Sequence, residues 1–149
     1  GLFDETEYDK IGFDKIECKE HLELADKATA EGVVLLKNNG ILPLKKDEIK
    51  SIGVIGPNAN SRVALIGNYH GTSSRYITVL EGIQDAVNED TRVYFSEGCH
   101  LFRDKVEHLG WRQDRISEAV NVALNSDVVV LCVGLDETKY NERISMLRI

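Results

Sequence analysis

Six consecutive apolar residues, Val128 to Val133, constrain this chain more than any other feature. A strand with one face in water alternates apolar and polar side chains. A run apolar at every position instead suits a parallel strand buried between helices. Residues 127–133 (DVVVLCV) therefore read as a central strand that Gly134 ends. A strand of that kind wants a neighbour on each side. The run is far too short to cross a bilayer, which takes about 20 apolar residues.

The rest of the chain supplies the alternation such a strand needs. Residues 51–57 (SIGVIGP) predict a short strand closed by Pro57, and 92–97 (RVYFSE) a second closed by Gly98. Leu24, Ala28, Val34 and Leu35 recur at helical spacing, which predicts an amphipathic helix over 21–38 stopped by Asn38, Asn39 and Gly40. Val79, Leu80, Ile83 and Val87 do the same over 77–88, and Ile116, Ala119, Val120 and Ala123 over 113–125. Val63 to Ile66 is a four-residue apolar run that fits a short helix feeding a loop at Gly67 to Ser74. Residues 99–112 read as a loop with room for a short helix. Residues 1–20 show apolar residues scattered among charges with no period, the pattern of an interdomain linker or strap.

Strands alternating with amphipathic helices imply parallel pairing by right-handed crossovers, with helices on both faces. The expected fold is a three-layer α/β sandwich with a mostly parallel sheet. Only three strands are evident, so the domain over 21–149 reads as incomplete, and an open sheet edge at 128–133 would invite self-association. The chain begins at Gly1 and not at Met, which reads as text from inside a longer protein.

Lys plus Arg number 18 against 25 Asp plus Glu, a net charge of −7. An acidic chain without a basic tract argues against nucleic acid and anionic membranes as partners. Three cysteines without a C-x-x-C form neither a disulfide framework nor a zinc ribbon, and suit a reduced, cytoplasmic setting.

Ligands in parallel α/β folds bind outside the carboxyl ends of the strands. Polar residues gather in the three loops that qualify, 56–75, 97–112 and 134–143. Gly53 and Gly56 invite a nucleotide-loop reading. It fails because G-x-G-x-x-G is absent and Pro57 stands where a helix-opening amide is needed. His100, Asp104 and His108 could share a helix face beside Cys99, but no tight metal-ligand motif is present. Ser73 and Ser74 lack a nucleophile elbow. Trp111 suits core packing better than a sugar platform. Tyr69 and His70 sit among Gly and Asn in a strand-end loop, where ligand contact and plain loop structure are equally good readings. Asp136, Glu137 and Glu142 form either a solvated charged loop or an acid/base group at the rim of the sheet.

Five segments carry a resemblance. ADKATAEGVVLLKNNGILPL (25–44), IGVIGPNAN (52–60), IGNYHGTSSRYITVLEGI (66–83), EGC (97–99) and SDVVVLCVGLDET (126–138) closely resemble, in order and spacing, the C-terminal α/β-sandwich domain of glycoside hydrolase family 3. The similarity is to its bacterial β-glucosidase and β-xylosidase members. The resemblance implies retaining hydrolysis of terminal non-reducing β-D-glucosyl or β-D-xylosyl residues without a cofactor or metal. That reaction needs two carboxyl groups about 5 Å apart, one a nucleophile and one an acid/base. It implies that the nucleophile belongs to a preceding barrel domain, absent here, and that the acid/base falls on Glu142, with Glu137 second. GNYHGTSSR (67–75) resembles the segment facing the barrel, which makes Tyr69, His70 and Arg75 candidate substrate contacts. The implied partners are a β-linked oligosaccharide or glycoside and the barrel domain. This chain alone is then expected to be inactive. The competing expectation is a non-catalytic α/β interaction module.

Overall fold

The structure, a computed structural model, describes residues 2–67, 69–99 and 115–134. It falls into two units, Gly1–Pro43 and Leu44–Ile149.

The first unit holds two single 3-10 turns, Glu7–Lys10 and Phe13–Lys15, and one α-helix, α1, Lys19–Gly32. The helix predicted to run to Asn38 stops six residues sooner. Glycine weakens a helix end by about 1 kcal/mol relative to alanine, and Val33 and Val34 lose side-chain freedom in a helix. Val33 is already extended, with φ −75 and ψ 126. Gly40 still turns the chain, at φ +92, but in a separate feature organised by Asn38. The Asn38 Oδ1 accepts from the amides of Gly40 and Leu42, and its Nδ2 donates to the Leu42 carbonyl at 2.8 Å.

The second unit is the sheet. Strands β1 (Ser51–Ile55), β2 (Arg92–Ser96) and β3 (Val128–Leu131) pair in parallel, in the order β2-β1-β3. Ile52 lies between Val93 and Val128, and Val54 between Phe95 and Val130. Helix α2 (Val79–Ala86) joins β1 to β2, and α3 (Ile116–Leu124) stands between β2 and β3 in sequence.

The two faces of β1 show where the helices lie. Ile52 and Val54 share a core with Leu80, Ile83 and Val87 of the α2 segment, and Val54 is fully buried. On the other face a Cβ added to Gly53 would meet Val122 at 2.9 Å, and one added to Gly98 would meet Ala119 at 3.3 Å. Helix α2 thus covers one face and α3 the other. Right-handed crossovers require this, because the chain steps from β1 to β2 in one direction and returns past β1 to β3 in the opposite one. The expected three-layer arrangement is present.

Among the described residues β1 takes the centre and β3 lies at the edge, with one neighbour where its apolar run suits two, as an incomplete sheet with an open edge at 128–133 implies. Val128 and Val130 turn towards the α2 core, while Val129 and Leu131 are 42% and 64% exposed. Helix α3 lies over the β1 face that bears Gly53, so the outward face of β3 stays open among the described residues.

Candidate functional site

The chain order reverses at β1, so the crevice outside the carboxyl ends of β1 and β3 is the topological switch point where α/β sheets bind ligands. Gly56 opens it. Its φ of +127 is a conformation that favours glycine, and a Cβ there would stand 2.0 Å from the Cys132 carbonyl oxygen. Only a glycine lets the ends of β1 and β3 approach so closely. The Cys132 amide donates to the Ile55 carbonyl at 2.7 Å, and the Asn58 amide to the Cys132 carbonyl at 3.4 Å. Burial pushes the Cys132 thiol above its ordinary pKa.

The turn at 56–60 is bolted to the start of α2. Thr78, itself buried, accepts from the Glu81 amide at 3.2 Å, and the Glu81 carboxylate accepts from the Thr78 amide at 2.9 Å. This reciprocal cap is legible in the sequence as T-V-L-E. The Thr78 amide holds the Glu81 carboxyl below the usual carboxylate range, with the Arg62 charge assisting. The Thr78 hydroxyl also donates to Asn60 Oδ1 at 3.0 Å, and the Leu80 amide to the Ala59 carbonyl at 2.9 Å.

The chain between those two anchors forms an excursion over 61–77. The expected helical turn within it is the 3-10 turn Val63–Leu65. Tyr69, His70 and Arg75 all lie on this excursion and are exposed. Tyr69 has φ +60, uncommon for a bulky residue, and its ring is fully in solvent. His70 Nδ1 lies 2.9 Å from the Gly71 carbonyl. Arg75 pairs with Asp85 of α2 at 3.5 Å. The Ser73 amide donates to the Tyr76 hydroxyl at 3.1 Å. Short local bonds of this kind organise residues 70–76.

At the second strand end, Glu97 pairs with the Arg115 guanidinium, so the chain leaves β2 and re-enters before α3 at neighbouring points. Glu137 and Glu142 lie outside the described residues, as do His100, Asp104, His108 and Trp111. Among the described residues no group of three His, Cys, Asp or Glu side chains could hold a metal ion, and no helix is long and apolar enough to cross a membrane.

One apolar recess of about 160 Å³ lies among Leu44, Ile49, Ile52, Ile83, Val87 and Thr91. It stands near the amino ends of β1 and β2, away from the switch point, and no carboxylate lines it. Its lining is mostly aliphatic, with Lys46 and Thr91 the polar side chains, whereas a polyhydroxylated ligand needs many polar partners.

Residues 33–147 match the family model for the glycosyl hydrolase family 3 C-terminal domain. The chain belongs to that family. Beta-D-xylosidase 3 of Arabidopsis thaliana is 36% identical over 132 residues, covering 88% of this chain and 16% of that protein. A beta-xylosidase of Formosa agariphila is 35% identical over 143 residues, covering 90% of this chain and 19% of that protein. The likeness thus reaches beyond bacterial members. Among solved structures, a family 3 exo-β-xylosidase in complex with a xylobiose aziridine probe superposes with a TM-score of 0.75 at 33% identity, covering 92% of this chain and 16% of that one. The family 3 domain described here spans less than a fifth of the length of these relatives.

Proposed function

We propose that this chain is the acid/base-bearing domain of a retaining β-glycosidase that removes terminal non-reducing β-D-xylosyl or β-D-glucosyl residues. The observation that carries the reading is the family match over 33–147, a span that includes both Glu137 and Glu142. Two of the similar proteins and the solved neighbour are named as xylosidases, which favours a β-xyloside.

In this reading a carboxylate of the barrel domain attacks the anomeric carbon. The Glu142 carboxylic acid gives its proton to the departing glycosidic oxygen as the bond breaks. The resulting carboxylate then takes a proton from water, and that water's oxygen displaces the enzyme carboxylate from the sugar. Glu137 is the second choice for the same role. Tyr69, His70 and Arg75, presented on the excursion at the carboxyl end of β1, contact the outer sugar units. Tyr offers a flat apolar face and Arg a fork of donors, which together suit a sugar.

The test uses the enzyme in which this chain is joined to its barrel domain. A general acid matters most when the leaving group is poor. Glu142→Gln is expected to slow p-nitrophenyl β-xyloside hydrolysis by about a hundredfold or more, with a much smaller loss on the 2,4-dinitrophenyl substrate. The same result from Glu137→Gln alone would transfer the role to Glu137. Unchanged rates in both variants would sink the proposal.

A second reading, an interaction module that pairs through its sheet edge, is favoured by the half-exposed β3, where Leu131 is 64% exposed. Sedimentation of the chain across a hundredfold concentration range separates the two. Reversible dimers lost in Val129→Lys would support it, and a monomer throughout would remove it.

A further inference from the structure

The excursion over 61–77 leaves the sheet after Asn60 and returns at Thr78, and none of its described residues is buried. Packing therefore does not hold it, although Tyr69 keeps a backbone conformation, φ +60, that bulky residues rarely adopt. Its course depends on where it is tied. Thr78 is 2% exposed, and its one hydroxyl has two tasks. The oxygen accepts from the Glu81 amide at 3.2 Å, and the hydrogen goes to Asn60 Oδ1 at 3.0 Å. The first bond starts α2. The second joins residues 18 positions apart and closes the base of the excursion. Beside it the Leu80 amide donates to the carbonyl of Ala59, and both residues are buried. Farther out, Arg62 on the outgoing arm pairs with Glu81 at 4.0 Å, and Arg75 on the returning arm pairs with Asp85 at 3.5 Å, one turn along the same helix. Exposed ion pairs of that kind are worth little, whereas a hydrogen bond partly shielded from water is stronger. The closure at the base is the decisive tie.

We propose that Asn60 is a positioning residue for the outer-sugar site: by closing on Thr78 it fixes where the excursion presents Tyr69, His70 and Arg75. This rests on the reading above that these three residues contact the outer sugar units. Two observations separate this role from simple capping of α2. The cap is complete without Asn60, because Thr78 and Glu81 satisfy each other reciprocally. The bond to Asn60 therefore acts on the chain that leaves β1, not on the start of the helix. Arg75 is in turn held by Asp85, so the helix that ties the base of the excursion also aims one of its three contacts. A bond at the base of a loop removes freedom from both arms at once. Loosening it costs outer-sugar binding first, because a substrate with a single xylosyl unit has no second sugar for the excursion to meet.

The experiment compares Asn60→Ala and Asn60→Asp in the enzyme that joins this chain to its barrel domain, with Tyr69→Ala, His70→Ala and Arg75→Ala alongside. Each is assayed on xylobiose and on p-nitrophenyl β-xyloside, and its melting temperature is recorded. Asn60→Ala should raise KM for xylobiose about fivefold with kcat within about twofold, and leave both constants on the nitrophenyl substrate within about twofold. Asn60→Asp keeps an oxygen that accepts from the Thr78 hydroxyl and should recover most of the loss. An equal loss on both substrates that tracks the melting temperature would reduce Asn60 to a structural role and overturn the inference. So would an Asn60→Asp as impaired as Asn60→Ala, or a harmless Asn60→Ala beside a Tyr69, His70 or Arg75 variant whose KM for xylobiose rises. If none of those three variants changes that KM, the sugar-contact reading fails first and the inference falls with it.

Discussion

Ser51 and Asp127 bond each other in both directions across the amino ends of β1 and β3. Asp127 Oδ2 accepts from the Ser51 amide at 2.9 Å and the Ser51 hydroxyl at 3.1 Å, and the Asp127 amide donates to Ser51 Oγ at 2.9 Å. The Lys50 amide adds a further bond to Oδ2 at 2.9 Å. A charged acceptor facing several N–H groups binds strongly and holds two strands that lie far apart in sequence.

Those bonds set a pH dependence. The Lys50 amide, then the Ser51 hydroxyl and amide, hold the Asp127 carboxyl below the ordinary aspartate pKa. A depressed pKa in the folded state adds stability above the unfolded value, near 3.9, and loses it as pH falls through the folded value. Asp127→Asn should therefore lower the melting temperature by a few degrees at pH 7 and by much less near pH 3. Thermal melts of the two chains at both pH values measure this. Equal differences at both would mean that the charge contributes nothing.

Much of the fold was legible because the local signals agreed with the tertiary outcome. The β1 and β2 strands and the α2 and α3 helices lie within a few residues of their expected bounds, and T-V-L-E starts α2 as a cap should. Helix α1 was over-extended because apolar spacing continues past Gly32 into Val34 and Leu35, although the backbone there prefers to be extended. The apolar run of β3 marks a strand suited to burial on both faces, and it lies at the open edge that only three evident strands imply. The Ser51–Asp127 and Asn58–Cys132 bonds were invisible, since each joins residues more than seventy positions apart. For the candidate site, sequence located the loop that carries Tyr69, His70 and Arg75 but not the anchors that hold it.

Two glycines should behave in opposite ways. Gly56→Ala forces a Cβ into the Cys132 carbonyl at a backbone conformation unfavourable to alanine, and should cost about 3 kcal/mol or more. Gly32 ends α1 with nothing within 4 Å of an added Cβ, so Gly32→Ala should stabilise by about 0.5–1 kcal/mol. Urea titrations followed by circular dichroism report both. A tolerated Gly56→Ala would contradict the close approach of β1 and β3.

Tyr69 separates stability from binding. Asn accepts a left-handed backbone better than Tyr, so Tyr69→Asn should raise stability by about 0.5–1 kcal/mol while removing the exposed ring. If the ring faces the outer sugar, KM for xylobiose should rise severalfold in the enzyme joined to its barrel, with kcat little changed. A gain in stability with no change in KM would leave the strain explained and the sugar contact refuted.

The division of labour between two carboxylates, one of them supplied from outside this chain, is tested most directly by trapping. Glu142→Gln in the enzyme joined to its barrel leaves the glycosyl–carboxylate bond without a base to activate water, so a strong anionic nucleophile that needs no base should replace it. With the 2,4-dinitrophenyl substrate and added azide, turnover should accelerate and the product should be the β-xylosyl azide, with the anomeric configuration retained. If azide neither speeds the variant nor appears in the product, while the unaltered enzyme turns over normally, Glu142 is not the acid/base group.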